Sequence, residues 1–384
     1  MKQFFYALLF FFLWACGSAD SSGEKAIVAD LNFTLDTVKI DSKGEILFLN
    51  NELRSAVLDD KKRYLYNLNR QTISIEQIDL DKLVLASILP FEEEGPNGLG
   101  EYMLGIKLVE ENRFLMSGYK KHALFNSSGK KLFSVGPSEI PAFVSNNEEG
   151  NVLYPERLPG TTSSYAGVYI APGNREPEVL FWDIDKKTYR KVKSPILKKS
   201  MQYQTDFDDG TTSLFVGGGE YLKVINGKVL LGLFGSSDLS IKEPGEKDFG
   251  KKTFEDGWIP RDKETVFPEK INDRIMFQEL LRESLAEISY NSPFWDESRQ
   301  VYLRFSYELD YSQEPSPPPG QLLPNPSGAK VYLTVYDGNL NMLRESRVPV
   351  LDKAPAHHFA KDGKIWIFEN IKDEMGFVRL SFDL

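Results

Sequence analysis

One cysteine and three histidines are all that this chain of 384 residues offers to thiol or imidazole chemistry. With Cys16 alone there is no second thiol for an intrachain disulfide, so the fold must stand on its core. The histidines, His122, His357 and His358, form no H-x-x-H or H-E-x-x-H spacing, and no C-x-x-C occurs, which leaves no zinc framework. Long runs of Lys and Arg are missing too. Only 46 basic residues face 56 acidic ones, and a phosphate backbone demands clustered cations, so no nucleic-acid partner is expected. An anionic lipid surface repels the same net charge of -10. No G-x-S-x-G elbow is present to seat a serine nucleophile, and no motif calls for a cofactor.

Apolar runs are short, with one exception. Phe4 to Trp14 is unbroken, too brief to span a bilayer and suited to the core of a signal peptide. The following "LWAC" and "GSADSSGE" resemble a bacterial lipobox, with Ala15 as the small residue before the cut and Trp14 bulkier than the usual occupant. The resemblance implies a signal peptide over 1–15, lipid on Cys16, and a polar tether over 16–29 ahead of one domain at 30–384. An alkylated sulfur is no nucleophile, so thiolate catalysis is excluded on this reading. The alternative is an ordinary secretory signal with a chance cysteine. The anchor reading places the protein in the cell envelope, held by lipid to the outer membrane, periplasmic or surface-exposed.

The domain reads as β. Runs such as "EILFLN", "VLFWDI", "VYLRFSY" and "KIWIFE" are bounded by Gly, Asn, Asp or charge, which is strand-and-turn chemistry. An apolar residue, a short polar turn and a strand recur six times: "VLDDKKRYLY", "LVEENRFLM", "FVSNNEEGNVLY", "FDDGTTSLFV", "FWDESRQVYL" and "FAKDGKIWIF". A second frame sets an aromatic before Asn or Asp at Tyr66-Asn67, Phe125-Asn126, Trp182-Asp183 and Tyr336-Asp337. Repeats of this size with several strands each predict a β-propeller rather than a sandwich.

Six units are expected, at 54–90, 105–138, 142–197, 203–243, 283–348 and 357–384, with "KVINGKVLLGLF" as the start of a seventh in the alternative count. The last unit lacks a strand, which "ADLNFTLDTVKID" near the N-terminus is placed to supply. Two insertions interrupt the frame. Residues 244–290 carry an amphipathic helix near 268–290, with Ile271, Ile275, Leu281, Leu285 and Ile288 on a common side and Pro268 at its start. Residues 312–328 are too proline-rich for a strand interior.

The lipobox, "GEILFLN", "LYNLN", "FEEEGPNGLGEY" and the echoed "GP" of "FSVGPSEIPAF" together resemble a family of Bacteroidota lipoproteins known as domain of unknown function 4221. That family is similar in turn to TolB-like six-bladed propellers, whose blade ends carry a Gly-Pro-Gly-Glu-aromatic loop; Gly95, Pro96, Gly98, Glu101 and Tyr102 give a stretched version of it. The resemblance implies the fold and the envelope address but no activity or site residues.

Candidate site residues are few. Glu92, Glu93 and Glu94, with Glu101, gather acid beside a Gly-rich loop, able to host a cation or amine or simply to face water. His357 and His358 are adjacent, so on a strand their rings point apart and cannot share a metal, leaving one to reach a central channel. Asp206, Asp208 and Asp209 echo part of a calcium loop, but they coincide with a repeated turn that explains the acids without an ion. A monomeric binding or scaffolding propeller for an envelope protein, peptide or glycan is the expected function. The competing class is a carbohydrate-active or cation-dependent site at the channel.

Overall fold

The computed structural model describes residues 27–28, 31–98, 100, 103–110, 112–118, 121–254, 257–312, 317 and 321–384. The turn chemistry dictates the hairpins. Asn226-Gly227 joins Glu220–Ile225 to Lys228–Leu233 with φ of 52° and 80°, and Asp362-Gly363 joins His358–Lys361 to Lys364–Ile371 with 53° and 71°. Both residues of each pair lie in the left-handed region, as a two-residue turn matched to strand twist requires. The aromatic-Asn/Asp frame also closes turns. Asn126 Oδ1 accepts from the Lys130 amide at 2.9 Å, Asp183 Oδ1 from Lys186 at 2.9 Å, and Asp337 Oδ1 from Asn341 at 2.8 Å. In the first copy the role passes to Asn69, which accepts from the Gln71 amide at 3.0 Å, while Asn67 is buried and donates to Glu76 at 2.8 Å.

The described strands form seven sheets. Six follow one another along the chain, each with an antiparallel meander. In order they run over Val57–Pro90, Met103–Ser134, Asn151–Val192, Glu220–Lys252, Ser289–Arg347 and His358–Phe382. The last is completed from the other end of the chain. Phe33–Lys39 pairs antiparallel with Glu374–Phe382, from Phe33 opposite Phe382 to Lys39 opposite Gly376, supplying the strand the sixth unit lacked. Asp36 pins it, accepting from Arg379 Nε and, at 2.6 Å, from Lys364 Nζ; those two bonds hold its carboxyl below the usual range. Upstream, Ile27–Val28 adds to the fifth sheet in parallel with Met342–Arg347.

Both faces of these sheets are apolar, which is why strands such as "EVLFWD" read as nearly continuous hydrophobic runs. Tyr66 and Leu68 of the first sheet pack on Phe114 and Met116 of the second. Leu115 and Leu124 of the second meet Tyr165 and Trp182 of the third, and Val168 and Phe181 of the third meet Leu222 and Leu231 of the fourth. Tyr221 and Leu230 of the fourth pack on Tyr302 and Tyr336 of the fifth. Leu303 and Leu333 of the fifth pack on Ile365 and Leu380 of the sixth. Trp366 and Phe377 of the sixth then pack on Leu65 and Ile78 of the first. Each fully buried Leu or Phe stabilises by about 1.5–3 kcal/mol, so these face-to-face clusters dominate the energetics. The fold is all-β and propeller-like.

Two expectations are corrected. The unit at 203–243 divides: Thr205–Asp208 and Ser213–Val216 leave the meander and form a small sheet with Lys270–Ile271, while the fourth sheet starts at Glu220. "KVINGKVLLGLF" forms the hairpin of that fourth sheet, separate from the small one. The helix is Arg274–Ala286, capped by Asp273, whose Oδ1 accepts from the Met276 amide at 2.8 Å. Pro268 and Ile271 precede it, Ile271 in a strand, so the expected face is misplaced and Ile275 is 68% exposed. The buried side carries Phe277, stacked on Phe207 at 4.1 Å, so the helix covers the small sheet. Leu322, in the proline-rich stretch, closes that cluster, its carbonyl accepting from Gln278 Nε2 at 2.8 Å. No helix among the described residues is long and apolar enough to cross a membrane.

Candidate axial site

The first strands of the sheets lie close together: Val57–Leu58 beside Met103–Glu110, Asn151–Arg157 beside Glu220–Ile225, and Phe294–Asp296 beside His358–Lys361. Charged side chains on these inner strands meet across the space between them. Lys107 of the second sheet donates from Nζ to Glu156 Oε1 of the third at 2.6 Å. Lys223 of the fourth has the Lys107 ammonium beside it; that repulsion, then burial, holds its pKa down at about 8, with Glu156 only partly opposing. Burial and then the neighbouring His358, Lys223 and Lys107 push His357 of the sixth sheet down to about 3. Groups from the second, fourth and sixth sheets thus sense one another although none of these sheets shares a packing cluster with another. They meet where the inner strands converge.

The two adjacent histidines point apart, as strand alternation requires. His358 turns into the cluster between the fifth and sixth sheets, its ring edge-on to Phe294 at 4.9 Å and Phe305 at 5.0 Å, and its Nδ1 donates to the Ala356 carbonyl at 2.7 Å. Burial pushes its pKa down to about 4. His357 senses the Lys223 and Lys107 charges, and its Nε2 is buried without a hydrogen-bond partner. Such an orphan atom is costly unless something engages it.

A second group lies on the third and fourth sheets. Tyr154 has φ of 54°, at the point where the register of its strand slips between Leu153 and Glu156. Positive φ is a genuine outlier for so bulky a residue, and Pro155 behind it disfavours a helical-type backbone further. Bulges of this kind re-aim side chains. Here the ring stays 48% exposed, yet burial and then the Glu220 charge push its hydroxyl pKa up. Gln204 Nε2 donates to Glu220 Oε1 at 3.3 Å, and Gln204 Oε1 is buried without a partner.

Sequence reasoning named His357 among its candidates, but not Lys107, Glu156, Lys223 or Tyr154. The available signal was a lone lysine inside an apolar first strand, "GIKLV" and "YLKVI". The other sequence candidates do not join the site. Glu92, Glu93 and Glu94 are exposed on a turn in which the Gly98 amide bonds the Gly95 carbonyl at 3.0 Å; Gly95 has φ of 86°. The "GP" echo is not structural, since Gly136 is extended at φ -66° ahead of the short helix Pro137–Glu139. Glu101, like Cys16, lies outside the described residues.

The calcium-loop reading of Asp206, Asp208 and Asp209 gives way to a turn with cationic partners. Asp206 accepts from Arg175 at 2.7 Å, and Asp208 accepts from the Gly210 amide at 2.9 Å. Asp209 accepts from Arg274 Nε at 2.5 Å and from the Thr212 amide, bonds that hold its carboxyl far below the usual range. Among the described residues no three His, Cys, Asp or Glu side chains are grouped to hold a metal ion. His122 is 3% exposed, lies tilted beside Trp182 with centroids 6.5 Å apart, and is pushed down to about 4 by burial, so it stays neutral in the core.

No curated protein matches the chain. Among solved structures, a DUF4221 family member from Bacteroides vulgatus is similar at TM-score 0.63 and 14% identity, covering 92% of this chain and 98% of that one. A candidate exported protein from Bacteroides fragilis gives TM-score 0.49 and 10% identity over 92% and 96%. A WD40 domain from Neurospora crassa gives 0.42 and 9% over 92% and 97%. Residues 29–347 match the domain of unknown function DUF4221, and the chain belongs to that family.

Proposed function

We propose that the six successive sheets are the blades of one closed six-bladed propeller, carried outside the cytoplasm on lipid attached to Cys16, and that this propeller is a binding module of the cell envelope. The ring reading is supported by six apolar clusters linking each sheet to the next and the sixth to the first. The observation that carries the binding reading is the axial set itself: Lys223 without an ion pair among the described residues, and a buried, unpartnered His357 Nε2. Such groups suit a ligand held by charge and hydrogen bonds. A base near pKa 3 is poorly matched to proton transfer at neutral pH, which weighs against catalysis by His357. A cation-dependent site would need converging carboxylates, whereas Glu156 is already engaged by Lys107.

The partner on this reading is an envelope protein, peptide or glycan, and the propeller acts as a monomer. The test is fractionation of native membranes with the Cys16→Ser variant beside wild type, followed by pull-down from detergent. Wild type is expected in the membrane fraction and the variant in the soluble one, with one companion molecule in both eluates. Both proteins soluble would sink the anchor; no companion in either eluate would count against the envelope partner.

A further inference from the structure

We propose that the edge of the third and fourth sheets is a basic face that lies against the anionic phosphodiester headgroups of the bilayer to which Cys16 is tied. This rests on the lipid anchor proposed above and adds a protein surface to it. Residues 186–199, "KKTYRKVKSPILKK", hold seven cations and no acid in a chain of net charge -10. All but Lys199 are exposed. They follow Thr188–Val192, the edge strand of the third sheet, into the short helix Pro195–Ser200.

The face continues onto the fourth sheet. Arg190 Nη2 donates to the Lys247 carbonyl at 3.0 Å, and Arg190 and Lys242 lie 4.3 and 5.9 Å from the centroid of the Phe181 ring. Some of the charge is spent internally. Asp183 engages Lys186, Glu148 engages Lys191, Asp238 and Asp262 engage Lys199 and Lys251, and Glu243 engages Lys228. Over 183–199 and 242–252, seven cations have no ion pair among the described residues: Lys187, Arg190, Lys193, Lys198, Lys242, Lys247 and Lys252. Only Asp185, Glu246 and Asp248 stand unpaired against them there. Screening at physiological salt confines each charge to about 8 Å, so this local surplus, not the net charge of the whole molecule, decides what the face attracts. Lysines on an edge strand also deter pairing between molecules. Yet Val84–Pro90 at the edge of the first sheet carries no charge, and Lys131–Ser134 of the second carries one, so edge protection does not account for the run.

The route of the chain points to a bilayer as the partner. Lys252 Nζ, on the edge strand of the fourth sheet, donates to Asn341 Oδ1 at 2.6 Å. The strand that follows, Met342–Arg347, is the one on which Ile27–Val28 forms the edge of the fifth sheet. The N-terminal segment thus meets the fold one sheet along from the basic face. Residues 17–26 alone separate Cys16 from Ile27, a reach of at most about 40 Å. A lipid and a basic surface together give the stable attachment that one chain alone does not.

The test is co-sedimentation of the unlipidated Cys16→Ser protein with vesicles of phosphatidylcholine alone or with about a third phosphatidylglycerol. Binding is expected to be at least about tenfold tighter to the anionic vesicles at about 0.05 M salt and equal for both at about 0.5 M. Lys187→Gln/Lys193→Gln/Lys198→Gln should lose the preference, at about fivefold per lysine, and melt as wild type. Lys61→Gln/Lys130→Gln/Lys372→Gln removes three exposed lysines from turns of the first, second and sixth sheets, matches the charge change, and should keep the preference. Equal binding to both vesicles at low salt, or equal loss in both triple variants, overturns the proposal. So does retention of polygalacturonate, an acidic glycan, by a protein that ignores anionic vesicles. If wild type fractionates as soluble while Cys16→Ser still prefers anionic vesicles, the anchor falls and the basic face stands. If wild type is membrane-bound and no preference is found, the anchor stands and the face falls.

Discussion

Arg304→Met is expected to lower the stability of the protein by about 3–5 kcal/mol, the range for stripping a buried cation from its partners. Arg304 is wholly buried in the fifth sheet and spans the joint with the fourth. Its guanidinium donates to the carbonyls of Asn291 at 2.8 Å, Ser237 at 2.6 Å and Ser236 at 3.1 Å, and to the Tyr221 hydroxyl at 3.1 Å. It also lies 4.6 Å from the Tyr290 ring centroid. No carboxylate neutralises it through a salt bridge among the described residues, so carbonyl dipoles and the ring face do that work. Methionine fills similar space but leaves three carbonyls and a hydroxyl without their donor, each a desolvated orphan. Lysine is not expected to rescue, because one ammonium cannot reproduce a planar fork. Urea unfolding checks this: the midpoint should fall steeply, and a change under 0.5 kcal/mol, the range of an ordinary surface substitution, would refute it.

Removal of the N-terminal strand should cost more still. A chain beginning at Ile40 loses the whole ladder of Phe33–Lys39 on Glu374–Phe382 and both Asp36 ion pairs. It also loses the burial of Leu31, Phe33 and Val38 against the fifth, sixth and first sheets. Buried Leu31 contributes about 2 kcal/mol and half-buried Phe33 and Val38 about 1 kcal/mol each, which with the ladder is comparable to the net stability of a typical domain. The exposed edge at Glu374–Phe382 then invites pairing between molecules. Size exclusion and circular dichroism should find oligomers without a cooperative melt, and a peptide of residues 31–39 added in trans should restore the monomer. A shortened chain that melts as wild type would show that the strand is dispensable.

Hairpins and strand order were legible in the sequence because their chemistry is local. Asn226-Gly227 and Asp362-Gly363 name their own turns, and "GFVRLSFDL" ends a unit one strand short, which pointed to Phe33–Lys39. What failed was set by distant pairing. "TDFDDGTTSLFV" carries the same turn residues as a blade, but its partner is Lys270–Ile271, over sixty residues on. The helix face was misjudged because Ile271 belongs to that strand, where the helical period does not apply. The axial site was hidden for a similar reason. A lysine in a strand resembles any solvated lysine until the fold sets Lys107 of the second sheet beside Lys223 of the fourth. Tyr154 gave no warning either, since its strain arises from a register slip rather than from composition.

The ring and its site both require that Lys107 and Lys223 meet at the axis. The most direct measurement is an NMR titration of the lysine Cε and Nζ resonances in wild type and in Lys107→Met. The lysine resonance lost in Lys223→Met should titrate near 8, as should that of Lys263, which burial lowers, and in Lys107→Met the Lys223 value alone should rise, because the chief repulsion is gone and Glu156 is freed. Lys223 titrating with the bulk lysines, or staying near 8 without Lys107, would contradict the convergence.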